Sequence, residues 1–259
     1  MKRMNQDRPR DTFHLDGIGA ASAATYQRLL RGNRIMIDWN EIETVLLDMD
    51  GTLLDLHFDN FFWLEHLPRR YAQIHDREQD EARHHLVERF RAEQGNLNWY
   101  CVDYWSRELD LDIRALKEEL RHLISVRPHV EQFLQRLHGS QRRVLLVTNA
   151  HQKSLSLKLA QTGLERWFDG VICSHDFNLA KEQAGFWAAL DSVEPFRRER
   201  TLLIDDNHAV LQSAHDYGIR YLLTLLQPDS KGAARASTHF PGILHFDEIM
   251  PELDQIHGA

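Results

Sequence analysis

Asp48 and Asp50 stand one residue apart at the end of the apolar run Val45-Leu46-Leu47, and Gly51-Thr52 follow them. Two carboxylates at the end of a buried strand are costly unless something positive sits between them. Oxygen donors of this kind suit Mg²⁺. Three further groups follow short apolar runs. Thr148-Asn149 follows residues 144–147, Lys181 lies beyond residues 170–173, and Asp205-Asp206 follows residues 201–204. Each alone is weak, because strand ends often carry Asp or Thr as helix caps. Together they place carboxylates, hydrogen-bond donors and one fixed cation on a single sheet edge, where open α/β sheets carry their active sites.

The elements that position these groups alternate. Residues 44–49, 144–147, 170–173, 201–204 and 221–225 read as strands, and the run at 144–147 is apolar enough to be buried on both faces. Helices are expected at 154–163, ending at Gly163, at 182–190 and at 209–218, and Pro128 is expected to open another that ends at Gly139. This alternation argues a parallel sheet with right-handed crossovers. Between the first strand and Pro128, residues 58–124 show helical spacing: Phe58, Phe61 and Phe62, then Leu86 and Phe90, then Trp99, Val102, Trp105 and Leu109. The chain beyond Gln227 carries Pro228, Pro241 and Pro251 and reads as loops with a short docking helix. Residues 1–35 lack aliphatic periodicity and are expected to be a disordered extension, with Met36 as the natural start and a short helix possible at 21–30.

Hydrophobic-Asp-x-Asp-Gly-Thr, then Thr, then Lys, then Asp-Asp resembles the four motifs of the haloacid dehalogenase-like (HAD) hydrolases across residues 42–226. The resemblance implies an α/β fold: a Rossmann-like parallel sheet with helices on both faces, plus a helical cap inserted after the first strand. On that reading residues 36–57 and 125–259 are the catalytic core and 58–124 the cap. Asp48 is expected to be the nucleophile that forms an aspartyl-phosphate. Asp50 would protonate the leaving oxygen and then activate water. Thr148, the amide of Asn149 and Lys181 would hold phosphoryl oxygens. Mg²⁺ would be held by Asp48, Asp50 through its backbone carbonyl, and Asp206, with Asp205 assisting; the last two could be exchanged.

Residues 48–63 (DMDGTLLDLHFDNFFW), 97–105 (LNWYCVDYW), 148–151 (TNAH), 204–206 and Pro228-Asp229-Ser230 are similar to the bacterial GMP/IMP nucleotidases of that superfamily. This implies hydrolysis of purine nucleoside 5′-monophosphates in the cytoplasm. Phe58, Asn60, Trp63, Asn98, Trp99 and Tyr104 are candidates for a base-binding wall, since aromatic faces stack on purines and amides read their edges. For most of these aromatics, however, a small hydrophobic core of the cap is the expected role. One departure is Glu182 after Lys181, where much of the superfamily has proline. Alternatives are a phosphatase for a sugar phosphate or phosphoglycolate, a phosphomutase, and a phosphate-binding regulator that kept the fold. Asp50 speaks against a metal-free dehalogenase.

Bulk properties narrow the partners. The chain has 259 residues, formal net charge -8 and 42% hydrophobic residues, with no long basic run, so a nucleic-acid polymer is not expected. No apolar stretch approaches about 18 residues, which argues against a membrane span. Cys101 and Cys173 have no metal-like spacing and read as free thiols of a reducing cytoplasm. The 16 histidines, His84-His85, His175 and His208 among them, show no ligand spacing and are expected at the surface. Lys153 and Lys158 are expected on a wet helix face.

Overall fold

Five short apolar runs, each followed by a polar turn, become five parallel strands, and a sixth joins them. The computed structural model describes residues 37–237 and 239–251; the extension at 1–35, its short helix and Met36 lie outside these residues. The strands are β1 (Thr44–Leu47), β2 (Arg143–Thr148), β3 (Gly170–Cys173), β4 (Thr201–Ile204), β5 (Tyr221–Leu225) and β6 (Gly242–Ile243). They pair in the order β3-β2-β1-β4-β5-β6, every pair parallel. β2 and β3 lie to one side of β1 and β4, β5 and β6 to the other, so the order reverses between β1 and β4.

The central residues of the strands are mostly apolar because both faces are covered. Val45 and Leu47 enter one buried cluster with Val144, Leu146, Leu202 and Ile204. Leu46 enters the opposite one with Leu145, Val147 and Leu203. The first face is covered by α7 (Val130–His138) and α8 (Gln152–Thr162), the second by α9 (Phe186–Val193) and α10 (His208–Tyr217). Burial of Phe133, Leu134, Phe186 and Trp187 supplies the driving force, roughly 1.5–3 kcal/mol per large side chain.

Between β1 and β2 the chain is helical. It contains α1 (His57–Phe61), a π-helical turn (Phe62–His66), α2 (Leu67–Ile74), α3 (Gln79–Glu93), α4 (Leu97–Tyr100), α5 (Val102–Leu109) and α6 (Ile113–Glu118). Phe62, Leu86, Phe90, Val102, Trp105 and Leu109 are buried, as their spacing anticipates. Asp112 starts α6 by accepting the Ala115 N–H at 3.0 Å.

Three element boundaries differ from expectation. Residues 182–185 form a turn and α9 begins only at Phe186, because tertiary hydrogen bonds hold Lys181 and Glu182 out of a helix. The helix expected to open at Pro128 begins at Val130, since His129 sits at φ 65° and breaks the helical path. The C-terminal region adds β6, a two-residue strand too short to show alternation, which covers the outer edge of β5 through Thr224 N–H to Pro241 O and Leu226 N–H to Ile243 O. The docking element there is the 3₁₀ turn Phe246–Ile249, which buries Phe246 and Ile249. No helix among the described residues is long and apolar enough to cross a membrane.

Candidate active site

The register of the sheet brings the dispersed motifs to one edge. Leu47 of β1 is level with Leu146 of β2 and with Ile204 of β4, so Asp48 and Asp205 leave at the same height while β2 runs on to Thr148 beside them. Asp48 and Asp205 are still tied into the ladder, Asp48 N–H to Ile204 O at 3.0 Å and Asp205 N–H to Leu223 O at 3.1 Å. Their backbones are therefore fixed. They sit at the β1–β4 reversal of strand order, the switch point where such sheets open a crevice.

Lys181 reaches this crevice from the turn beyond β3. Its Nζ donates to Asp48 Oδ1 at 2.5 Å, to Asp205 Oδ2 at 2.7 Å and to Val147 O at 3.0 Å. The turn is held from below by Asn149, whose Oδ1 accepts the Lys181 N–H at 2.9 Å and whose Nδ2 donates to Glu182 Oε2 at 2.8 Å. Tyr100, from the helical segment, donates its hydroxyl to Glu182 Oε1 at 2.8 Å. Glu182, which departs from the superfamily pattern, thus bridges the sheet edge and the helices above it. Thr148 accepts the Ala150 N–H at 3.0 Å, as a turn-forming threonine does, and its own hydroxyl hydrogen remains to donate.

Asp205 and Asp206 separate in role. Both oxygens of Asp205 are engaged, one by Lys181 and the other by the Asn207 N–H at 2.9 Å. Asp206 is positioned through its backbone: its N–H donates to Thr52 Oγ1 at 3.1 Å, and its carbonyl accepts from the Arg235 guanidinium. Its carboxylate lies against Gly51, where an added Cβ would meet Asp206 Cγ and Oδ2 at 2.7 Å, at a φ of +85°. Only glycine fits that approach. Oxygens of Asp48, Asp205 and Asp206 all come within 4.8 Å of one another. Burial pushes Asp48 and Asp205 up from the usual carboxylate range; Lys181 pulls the other way, and the neighbouring carboxylates add to the rise. Burial opposes the charge on Lys181, but Asp205 and Asp48 together hold the ammonium protonated.

Asp50 has a partner that its sequence context does not show. Lys158, expected on a wet face, is 1% exposed, and its Nζ lies 2.6 Å from Asp50 Oδ1 and 2.6 Å from Asp59 Oδ2. Lys117 Nζ sits 2.9 Å from Asp59 Oδ1. Burial lifts the Asp50 carboxyl, and Lys158 holds it down. Burial would lift Asp59 as well, but Lys117 and Lys158 outweigh it and bring Asp59 to about 2. Lys158, Asp59 and Lys117 were missed because each lies far in sequence from Asp50 or carries no motif. One signal was present: Lys158 follows Ser154 and Leu155 by four and three residues and precedes Leu159, so it falls on the buried stripe of α8.

The aromatic and amide candidates divide into two groups. Phe58 is 1% exposed, with Lys117 and Lys158 lying 5.0 and 5.2 Å from its ring centre. Asn60 donates to Asp229 Oδ2 at 2.7 Å. The loop carrying Pro228-Asp229-Ser230 is bound here too, through Leu56 N–H to Pro228 O and Ser230 N–H to Asp55 Oδ1, both 3.0 Å. Trp63 and Trp99 stack at 6.3 Å between ring centres and meet the edges of Phe90 and Trp105. Tyr104 and Asn98 both donate to Glu93, at 2.7 and 3.2 Å. Phe58 therefore adjoins the Asp50 side of the site and Asn60 the Asp229 loop, whereas Trp63, Trp99, Tyr104 and Asn98 gather around Phe90, Trp105 and Glu93. His175 and His208, expected at the surface, are half-buried.

Comparisons with known proteins agree with this geometry. The family model described as haloacid dehalogenase-like hydrolase matches residues 42–218. The chain is 39% identical over 219 residues to GMP/IMP nucleotidase YrfG of Escherichia coli (strain K12), covering 85% of this chain and 99% of that protein. The same figures hold for GMP/IMP nucleotidase YrfG of Shigella flexneri. Among solved structures, a HAD phosphatase from Thermococcus onnurineus superposes with a TM-score of 0.67 at 21% identity, over 80% of this chain and 95% of that one. The magnesium-bound HAD-hydrolase YfnB from Bacillus subtilis gives 0.57 at 18% identity, over 80% and 96%. With the family match spanning the strands that carry Asp48, Thr148, Lys181 and Asp206, the chain belongs to the haloacid dehalogenase-like hydrolases.

Proposed function

We propose that this phosphoric monoester hydrolase acts on purine nucleoside 5′-monophosphates, GMP and IMP, in the cytoplasm. The contact of Lys181 with both Asp48 and Asp205 at the β1–β4 switch point carries the chemistry. The substrate class rests on 39% identity over almost the full length of relatives named as GMP/IMP nucleotidases. In the first half-reaction an Asp48 oxygen attacks phosphorus and forms the aspartyl-phosphate, while Asp50 gives its proton to the departing ribose oxygen. In the second, Asp50 takes a proton from water, the hydroxyl attacks phosphorus, and phosphate leaves with Asp48 restored. Lys181, the Thr148 hydroxyl and the Asn149 amide hold the equatorial oxygens as charge shifts onto them.

The residues fit Mg²⁺. The donors are all oxygens, three carboxylates lie close together with one ammonium on two of them, and Gly51 leaves room beside Asp206. Asp48, Asp206 and the Asp50 carbonyl would hold the ion, with Asp205 committed to Lys181 and its own turn. Bound there, Mg²⁺ neutralises the repulsion between the Asp48 carboxylate and the phosphate dianion. Residues 58–124 act as a cap that closes over the substrate and excludes bulk water.

Lys158→Met is expected to lower kcat on GMP by about 10²-fold, because Asp50 loses the cation that holds its carboxylate in place. The same change leaves Asp50 and part of Asp59 unpaired and costs about 3 kcal/mol in urea unfolding. Lys158→Arg, which keeps a cation between Asp50 and Asp59, should recover most of that stability and part of the rate. A Lys158→Met protein that turns over GMP at the wild-type rate would reduce Lys158 to a structural residue.

A phosphate-release screen with Mg²⁺ over nucleoside monophosphates, common sugar phosphates and phosphoglycolate tests the substrate. GMP and IMP should exceed the others in kcat/KM by about tenfold or more. Equal or better turnover of a sugar phosphate would move the assignment to a phosphatase for that metabolite.

A further inference from the structure

Cys101, His151 and His175 are 50 and 24 residues apart in sequence and show no ligand spacing, yet one ligand atom from each comes within 4.8 Å of the other two. Cys101 lies between α4 and α5, in the helical segment. His151 immediately precedes α8, and His175 lies in the 3₁₀ turn after β3. The cluster therefore spans the junction between the helical segment and the sheet edge, apart from the carboxylate site. We propose that these three residues form a second metal site, for a soft divalent cation of the Zn²⁺ class, that staples the helical segment to the catalytic edge.

Ligand chemistry separates the two sites. One thiolate and two imidazoles favour Zn²⁺ or Co²⁺, whereas the all-oxygen set of Asp48, Asp205 and Asp206 favours Mg²⁺. Around a tetrahedral zinc such sulfur and nitrogen ligands stand about 3.3–3.6 Å apart, so side-chain torsions need to contract the cluster by only about 1 Å. Three protein ligands leave the fourth position to water.

Independent details point the same way. His175 Nε2 is buried and has no hydrogen-bond partner, an arrangement that ligation would satisfy. The His151 and His175 rings meet edge to face at 86° with centres 5.0 Å apart. Cys101 Sγ accepts the Tyr104 N–H at 3.3 Å at the start of α5, a contact that strengthens for a thiolate. On binding, the Cys101 thiol forms its bond to the metal and its proton passes to solvent. His151 Nδ1 now accepts the Lys153 N–H at 3.3 Å, a long bond that ligation through either ring nitrogen gives up. Asp103 Oδ2 lies 3.7 Å from His151 Nε2 and adds negative charge beside the site. The other cysteine is engaged elsewhere: Cys173 Sγ donates to Ala150 O at 3.2 Å.

The test is a Co²⁺ titration of the reduced full chain with Mg²⁺ in large excess, followed by ultraviolet and visible absorption. One equivalent of Co²⁺ should bind with a thiolate-to-cobalt charge-transfer band, and Zn²⁺ should displace it. The band should vanish in Cys101→Ser, and affinity should fall about tenfold or more in Cys101→Ser and in His175→Ala, with melting temperatures showing that each variant folds. Co²⁺ held by carboxylates alone gives no such band. A wild-type protein without the band, or a band that persists at unchanged affinity in either variant, overturns the proposal; the wild-type measurement decides by itself if a variant does not fold.

Discussion

Asp48→Asn is expected to lower kcat on GMP by about 10⁴-fold or more while leaving the protein folded. An amide of the same shape has no nucleophilic oxygen to attack phosphorus, so the covalent route closes. The fold should tolerate the change because Lys181 keeps Asp205 Oδ2 at 2.7 Å and Val147 O at 3.0 Å. Lys181 contacts two buried carboxylates, Asp48 and Asp205, with Asp206 beside them, and neutralising Asp48 removes a charge that burial above all, and then these neighbours, disfavour. Stability should therefore hold or rise slightly. Phosphate release and urea unfolding on the same preparation check both halves. Retention of more than about 1% of the wild-type rate would remove Asp48 from the nucleophile's place. A collapse in stability would mean that the Asp48–Lys181 contact is chiefly structural.

Removal of divalent metal should have the second largest effect. EDTA is expected to reduce turnover by about 10³-fold, and excess Mg²⁺ to restore it. The substrate phosphate brings up to two negative charges to a site where Asp48, Asp205 and Asp206 already outnumber the ammonium of Lys181. Arg235 lies 4.0 Å from Asp206 Oδ2 and offsets part of this. The remaining excess suits one divalent cation held by hard oxygens. Mg²⁺ should also raise the melting temperature with increasing concentration, since it binds the folded site and not the unfolded chain. Full activity in metal-free buffer would reject this account while leaving the Asp48 prediction standing.

Some contacts joining the helical segment to the sheet edge are polar. Tyr100 to Glu182 at 2.8 Å, Lys153 to Asp103 at 2.5 Å and Lys158 to Asp59 at 2.6 Å cross that junction. Exposed pairs such as Lys153–Asp103 contribute little net stability, and a junction of such bonds can open and reclose at modest cost. The buried Lys158–Asp59 pair differs, because breaking it strands charge. It lies beside Asp50, so the joint between helices and sheet doubles as the support for the proposed proton-transfer group.

The sequence by itself determined the sheet and the edge that carries the candidate site. Strands covered on both faces read as near-continuous apolar runs, so β1, β3, β4 and β5 could be read almost to their ends. Residues that leave a parallel strand at its C-terminal end share one edge, so Asp48, Thr148 and Asp205-Asp206 could be grouped before their neighbours were known. Tertiary structure alone decided what surrounds Asp50, where Glu182 reaches and which histidines face a cysteine. Lys158, Asp59 and Lys117 meet only when α8 packs beneath α1 and α6, and Cys101, His151 and His175 only when the helical segment rests on the sheet edge. Short-range pattern records whether a residue is buried and which way it faces. Which charges meet across elements is set by how those elements pack, and the span of sequence between them carries no trace of it.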